Sequence, residues 1–194
     1  MLKIQRLLVN GTERAMGTGA DLWFGWQLHS DHRNVRQQRY RLQLAEDPNF
    51  AALVQDTGWV QSDASAYVRP AVTLRPATGY YVRVQAADQI EETPWSTPVY
   101  FVTALSAEDW QAPFVTAEKA SDKDTSKGTY LRGTFTVEGT VQAAYAFTTA
   151  LGLYQFYLNG TKVGDDEMAP GWTSYRKHLL YQCYDVYFLI VSCI

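Results

Sequence analysis

The residues best suited to ligand chemistry lie close together in the C-terminal third of the sequence. Three consecutive acids, Asp165, Asp166 and Glu167, are followed a few positions later by Trp172 and Tyr175. Carboxylates accept hydrogen bonds from sugar hydroxyls, and an aromatic ring stacks on the apolar face of a pyranose. Asp165, Asp166, Trp172 and Tyr175 are therefore the candidate carbohydrate-binding residues.

Each of these residues also has a structural interpretation. Three adjacent acids after a hairpin commonly form a solvated turn, and a tryptophan in such a loop commonly fills the core. Arg176-Lys177-His178 would then decorate the exposed face of the next strand. The acids could also form half of a calcium site, so calcium is the one cofactor that the sequence leaves open; no metal ligand is assigned.

No other polar cluster has a catalytic pattern. His29-Ser30-Asp31-His32 contains suitable residue types, but all four lie in one predicted turn, whereas a triad brings its members from different elements. The three histidines show neither a metal-type HExxH spacing nor proximity to a GxSxG elbow. Residues 122–128 begin like a calcium-binding loop, yet the glycine falls one position late and Gly133 stands where the bidentate glutamate belongs. No catalytic residue is assigned.

Composition and charge exclude several classes of partner. A formal net charge of −3 without a basic segment gives no electrostatic footprint for nucleic acid. No stretch approaches the roughly 20 apolar residues of a membrane span. The N-terminal MLKIQRLLVNG lacks the apolar core of a signal peptide, so we expect a cytoplasmic protein. Two cysteines, Cys183 and Cys193, are too few for a disulfide framework or a zinc site.

Residues 1–104 have the pattern of a β-sandwich. Apolar residues alternate with period two in seven short runs, which begin near residues 4, 22, 39, 53, 66, 79 and 97. Seven short strands in about 100 residues, without a helical period, are typical of an immunoglobulin-like sandwich. The alternation places these side chains on core faces: Leu22, Phe24, Trp26, Leu28, Tyr40, Leu42 and Leu44.

One stretch of this region, LRPATGYYVRVQAAD, resembles the fibronectin type III signature. Tyr80 is predicted to form the tyrosine corner, with its ring at the edge of the core and its hydroxyl bonded to upstream backbone. Trp26 is predicted to be the core tryptophan. Both roles are structural, and the fold alone assigns no function.

A second domain is predicted after a junction. Residues 105–128 interrupt the alternation and are rich in Ser, Ala, Asp and Lys, which indicates a linker. Strands are predicted to resume at Thr129 with YLRGTFTVEG. A strand over 153–158 is predicted to turn at Asn159-Gly160, a strong hairpin signal. We therefore predict domains at 1–104 and 129–194.

The second region resembles the N-terminal domain of bacterial α-L-rhamnosidases. The matching segments are, in order, LRGTFTV, TALGLYQFYLNGTKVGDD and APGWTSYRKHLLYQCYDV. The preceding fibronectin-like module fits how those enzymes begin, so the resemblance covers nearly the whole chain. It implies an all-β fold, with a fibronectin type III/immunoglobulin-like sandwich followed by an incomplete jelly-roll-like β-sandwich.

This resemblance also implies a function for the parent protein. The family removes terminal α-L-rhamnose with inversion, which requires two carboxylates, and both lie in a helical domain downstream of these modules. The chain would then be a non-catalytic N-terminal fragment whose partner is the downstream catalytic domain. The alternatives are a stand-alone module that binds L-rhamnose-containing glycans, with or without calcium, and a structural or adhesive β protein, against which the lack of a secretion signal weighs.

The last residues depart from the family pattern. After Tyr184-Asp185-Val186 the chain reads YFLIVSCI, which is either a final buried strand or the non-family end of a truncated gene product. The second interpretation is favoured because the jelly roll is left short of its later strands. A β-prone apolar tail could also pair two copies, so a dimer is an expected outcome.

Overall fold

A computed structural model describes residues 1–116 and 128–191, and the chain divides into two compact units, Met1–Ala107 and Glu108–Ile194. The predicted linker at 105–128 overlaps the start of the second unit. Most of the calcium-loop-like stretch and Cys193 fall outside the described residues, so nothing structural follows for them. The bounds of the linker stay a prediction.

Unit 1 consists of two β-sheets. The small antiparallel sheet pairs β1 (Lys3–Val9) with β3 (Phe24–His29). The large sheet has the order β2-β8-β7-β4-β5, and β6 also pairs with β4. Its strands are β2 (Ala15–Thr18), β4 (Arg39–Ala45), β5 (Leu53–Asp56), β6 (Val60–Gln61), β7 (Gly79–Ala87) and β8 (Val99–Thr103). The β2–β8 pair is parallel and the others are antiparallel.

The core of unit 1 lies between the two sheets. Phe24 and Trp26 of the small sheet and Leu42, Leu44 and Val82 of the large sheet are buried in one apolar cluster. Fully burying a side chain of this size stabilises the fold by about 1.5–3 kcal/mol. The core faces predicted from the alternation are confirmed, and so is the all-β fold class.

Both predicted structural aromatics are where the sequence places them. The Tyr80 ring is 1% exposed, and its hydroxyl accepts a hydrogen bond from the backbone N–H of Arg75 at 3.0 Å. Trp26 is buried, and its Nε1 donates to Oε1 of Gln37 at 2.8 Å. Gln37 in turn donates to backbone carbonyls, so this buried polar group is satisfied. Both predictions are confirmed.

Arginine side chains cover aromatic rings on the other face of the large sheet. The distances from guanidinium carbon to ring centroid run from 4.1 to 5.7 Å, within the range of a cation–π contact. We call this set the arginine–aromatic ladder: Arg39 over Trp59, Arg41 and Arg83 over Trp95, and Arg83 also over Phe50.

One carboxylate anchors the ladder. Asp56 accepts hydrogen bonds from Nε and a terminal nitrogen of Arg41 at 2.9 and 2.5 Å, and from Gln43 at 2.7 Å. The Arg41 hydrogen bond holds the pKa of Asp56 well below its ordinary value, and Gln43 and the Gly58 amide add to that effect. Burial opposes the shift. The Asp56 side chain is 24% exposed, so solvent screens the pair only in part.

Unit 2 is built from shorter strands. β9 (Tyr145–Thr148) pairs antiparallel with β12 (Gln182–Asp185), and β10 (Tyr157–Leu158) pairs antiparallel with β11 (Thr161–Lys162). A five-residue helix, α1 (Tyr187–Val191), follows β12. In the described part of the chain, no helix is both long and apolar enough to span a bilayer.

Two predictions for unit 1 are wrong in detail. The run that begins near residue 66 forms only an isolated bridge, Val68 to Phe24, because Tyr67 has a positive φ of 56° and Pro70 lacks an N–H. Strand β2 was not predicted, because it is short and contains a glycine with positive φ, Gly17.

Two predictions for unit 2 are also wrong in detail. Of the strand predicted over 153–158, only Tyr157–Leu158 is strand, together with a bridge from Tyr154 to Ala169. Residues 130–138 form no strand, because no other described segment pairs with them. The alternative of a final buried strand, which was not the favoured one, is excluded because Tyr187–Val191 is helical. Its Leu189 and Ile190 amides donate to the Val186 carbonyl and start the helix.

Candidate carbohydrate-contact site

A tight hairpin leads the chain into the candidate loop. Asn159 and Gly160 join β10 to β11 with φ of 51° and 80°, the left-handed conformations that a two-residue hairpin turn requires. The Asn159 side chain also donates to the Leu189 carbonyl at 2.8 Å. The predicted Asn159-Gly160 hairpin is confirmed, and two residues separate the end of β11 from the first of the three acids, Asp165.

The start of the loop packs on one tyrosine. Gly164 has a φ of 73°, and the Tyr184 ring of β12 occupies the space where a Cβ on Gly164 would lie. Burial raises the pKa of the Tyr184 phenol, and hydrogen bonds with Tyr154 and with the Asp166 carboxylate raise it further. The Asp166 carboxylate therefore lies near the Tyr184 hydroxyl.

A half-buried polar network connects Tyr154 with Gln182 and with the backbone of Ala169 and Pro170. The Tyr154 hydroxyl donates to Oε1 of Gln182 at 2.9 Å and lies 2.5 Å from the Thr148 hydroxyl. Gln182 donates to the Pro170 carbonyl at 3.2 Å, and the Tyr154 backbone N–H donates to the Ala169 carbonyl at 2.8 Å. The network thus ties both ends of residues 164–170 to β9 and β12.

The three acids differ in their surroundings. Asp165 is exposed, and Asp166 lies against Tyr184. Glu167 forms an ion pair with Lys162 of β11, and the Lys162 hydrogen bond lowers the pKa of Glu167. All three acids are exposed, while Asp166 and Glu167 also contact residues that hold the loop.

Two aromatic side chains, Trp172 and Tyr175, follow residues 164–170 and are exposed. Trp172 is 83% exposed, so the interpretation that it fills the core is wrong. The Tyr175 ring lies beside it, with centroids 6.4 Å apart and planes inclined by 32°. Residues 174–178 form a turn, in which the Lys177 and His178 amides donate to the Ser174 carbonyl. Arg176, Lys177 and His178 are exposed in this turn and not on a strand.

The structure therefore brings Trp172 and Tyr175 together and seats Asp166 on β12. The residues that position the loop, Tyr154, Gln182 and Tyr184, were missed by the sequence analysis. Tyrosines within strands indicate packing, and no local signal shows that their hydroxyls meet. In residues 1–116 and 128–191, no three His, Cys, Asp or Glu side chains converge in a way that could hold a metal ion.

Chemically, the groups of this loop are of the types that contact a polyol. It offers one exposed ring pair, accessible carboxylate oxygens and a rigid support. Inverting hydrolysis of a glycoside requires an acid and a base on opposite faces of the sugar ring, about 6.5–9.5 Å apart. The acids of this loop are adjacent in sequence and follow a single hairpin, so they do not present that arrangement.

Comparison with known proteins identifies relatives of both units. A family model described as "Rha78A-like, N-terminal immunoglobulin domain" matches residues 4–107, and one described as "Alpha-L-rhamnosidase N-terminal domain" matches residues 139–192. An α-L-rhamnosidase of Alteromonas sp. (strain LOR) is 30% identical over 87% of this chain and 20% of its own length.

Solved structures give the same result. The α-L-rhamnosidase of Dictyoglumus thermophilum superposes with a TM-score of 0.82 and 26% identity, over 96% of this chain and 23% of that chain. The α-L-rhamnosidase of Aspergillus terreus superposes with a TM-score of 0.74 and 25% identity, over 97% of this chain and 22% of that one. The chain spans about a fifth of the length of the curated relatives it matches.

Fold and comparisons together define the class as tandem all-β modules from the N-terminal region of a longer polypeptide. The chain belongs to the family of Rha78A-like N-terminal immunoglobulin domains and corresponds to the N-terminal region of α-L-rhamnosidases. The resemblance found in the sequence is therefore confirmed. The second family model matches as far as residue 192, so the favoured interpretation that the tail from Tyr187 departs from the family is wrong for residues 187–192.

Proposed function

We propose that the chain is a non-catalytic N-terminal part of an α-L-rhamnosidase, whose modules support substrate recognition by a catalytic domain elsewhere in the polypeptide. The observation that carries this proposal is the coverage. Both units match their counterparts in α-L-rhamnosidases, and together they account for only about a fifth of those proteins. The catalytic carboxylates of the parent enzyme would then lie in the remaining four fifths.

Activity of the isolated chain tests this proposal. The purified chain is incubated with 4-nitrophenyl α-L-rhamnopyranoside, and release of nitrophenolate is followed against a buffer blank. The expected result is no release above the blank. Hydrolysis that co-purifies with the chain and persists at constant specific activity would place catalysis in these modules and overturn the proposal.

A stand-alone rhamnose-binding module is the second candidate function. The observation that favours it is the exposed Trp172 ring beside Tyr175, on a loop whose conformation is fixed by Tyr184. An exposed ring pair on a rigid support loses little conformational entropy when a sugar stacks on it.

Calorimetric titration with L-rhamnose, with and without calcium, separates the two functions. Saturable binding that is lost in Trp172→Ala supports the binding module. The matched control is Tyr67→Ala, which removes a similarly exposed ring from unit 1. No heat of binding in either condition favours the accessory function, and equal loss in both variants would show that the site is not at Trp172.

A further inference from the structure

Unit 2 exposes a run of apolar side chains that pairs with no strand among the residues that the structure describes. In residues 132–138, RGTFTVE, Phe135 and Val137 share one face of the period-two alternation, and Phe135 is 66% exposed. The run forms no ladder with any segment that the structure describes. Tyr130 and Leu131, just before it, are also exposed. A contiguous exposed patch that lies outside the described ladders is a template for a further strand.

The other face of the same run carries its polar groups. Arg132, Thr134, Thr136 and Glu138 alternate with the apolar positions. Neither Arg132 nor Glu138 forms an ion pair with another described residue. The two charges have opposite signs and lie at equal distances in sequence from Phe135.

This symmetry makes the run complementary to itself. When two copies pair antiparallel with Phe135 opposite Phe135 of the partner subunit, Arg132 faces Glu138 of the partner subunit, and the reverse contact repeats it. Thr134 faces Thr136 of the partner subunit on the same side. Aromatic pairs, Thr–Thr pairs and opposite charges directly across an antiparallel ladder are each favourable. A two-fold axis through Phe135 gives the isologous contact that is common in homodimers.

We propose that a second copy of this chain covers residues 132–138 through an antiparallel strand pair centred on Phe135. This replaces the earlier expectation that the C-terminal tail pairs two copies, because Tyr187–Val191 is helical and presents no strand edge. The inference is independent of the proposed function, since it depends only on the self-complementary run. The competing occupant is a strand from elsewhere in a longer polypeptide.

Charge reversal tests the register. Sedimentation velocity over a series of concentrations gives the dimer dissociation constant of the chain. Arg132→Glu puts Glu opposite Glu138 of the partner subunit at both ends of the pair, so we expect the dissociation constant to rise about tenfold. Glu138→Arg should do the same, and the double variant Arg132→Glu/Glu138→Arg should restore the original value.

Two further variants keep the test decisive. Arg176→Glu reverses an exposed charge of unit 2 outside this run and should leave the dissociation constant unchanged, while Phe135→Lys should abolish the dimer. Circular dichroism checks that each variant is folded. A chain that stays monomeric at every concentration overturns the proposal in favour of the competing strand. The proposed register is wrong if the single charge reversals leave the dissociation constant of the dimer unchanged. It is also wrong if the double variant does not restore the original dissociation constant.

Discussion

The Tyr184 ring lies against the backbone of Gly164 and leaves no room for a Cβ there. Gly164 also needs the left-handed backbone conformation, so two constraints meet at one position. Through this contact β12 fixes the start of the loop that carries the three acids, and every substitution at Gly164 tests that link.

Gly164→Ala should destabilise unit 2 locally by about 2–4 kcal/mol, because it adds a steric clash with Tyr184 to the strain at positive φ. Hydrogen exchange of the amides in β9 and β12, read by mass spectrometry, measures this local stability. The control is Gly160→Ala, which has a similar φ of 80° but open space around it. Gly160→Ala should lower the local stability of unit 2 by about 1 kcal/mol. Equal losses in the two variants would show that the Tyr184 contact contributes nothing.

Tyr80→Phe should lower the free energy of unfolding of unit 1 by about 1 kcal/mol. The ring still fills the core, but the Arg75 amide loses its hydrogen-bond acceptor. Urea unfolding monitored by tryptophan fluorescence gives the difference. Tyr67→Phe, at an exposed ring, should change it by less than about 0.5 kcal/mol. If Tyr80→Phe were as stable as the wild type, the hydroxyl of Tyr80 would not contribute to the stability of the tyrosine corner.

Asp56→Asn should alter the acid sensitivity of unit 1. The pKa of Asp56 is lowered in the folded state, chiefly by Arg41, so ionised Asp56 stabilises the fold above its ordinary pKa of 3.8. That contribution disappears as the pH falls below 3.8. Between pH 7 and pH 2.5 the wild type should therefore lose about 1 kcal/mol more stability than the variant.

Urea midpoints at a series of pH values measure this difference. Asp63→Asn removes the carboxylate of a more exposed pair with Arg36 and serves as control. Its stability curve should follow the wild type closely, since exposed ion pairs contribute little. If the stability of Asp56→Asn fell with pH in parallel with that of the wild type, ionised Asp56 would not be a source of the stability that is lost in acid.

Trp172→Ala should leave the free energy of unfolding within about 0.5 kcal/mol of the wild type, because its ring is exposed. Trp26→Ala should cost about 3–5 kcal/mol, because its ring lies in the core. Thermal unfolding of both variants, with circular dichroism as the signal, makes the comparison. A large loss in Trp172→Ala would mean that this ring is covered in solution.

Period-two patterning predicts the core of unit 1 best where a strand has one buried face, as β7 has. Tyr80, Val82 and Val84 are buried there and alternate with the half-buried Tyr81 and Arg83. The tyrosine corner is similarly readable, since Tyr80 lies in a distinctive local sequence. These features depend on neighbouring residues in sequence.

Features that depend on distant residues were not predictable in this way. Residues 130–138 alternate as well as any strand, yet alternation cannot supply the partner that a ladder requires. The helix at Tyr187–Val191 forms from a β-prone sequence, and its first turn is capped by the Asp185 carboxylate, which accepts a hydrogen bond from the Tyr187 amide. In the candidate site, Trp172 and Tyr175 were identified by type, whereas the hydroxyl contacts among Tyr154, Gln182 and Tyr184 emerge only from pairing β9 with β12.

The arginine–aromatic ladder has a consequence for how the large sheet of unit 1 meets other surfaces. Where Arg39, Arg41 and Arg83 lie over rings, the sheet presents charged nitrogen atoms to water in place of bare aromatic carbon. An apolar surface that settled on this face would have to strip water from three guanidinium groups. Because the guanidinium groups of the ladder would lose their water, we expect the ladder to disfavour stacking of this aromatic-rich sheet on another sheet.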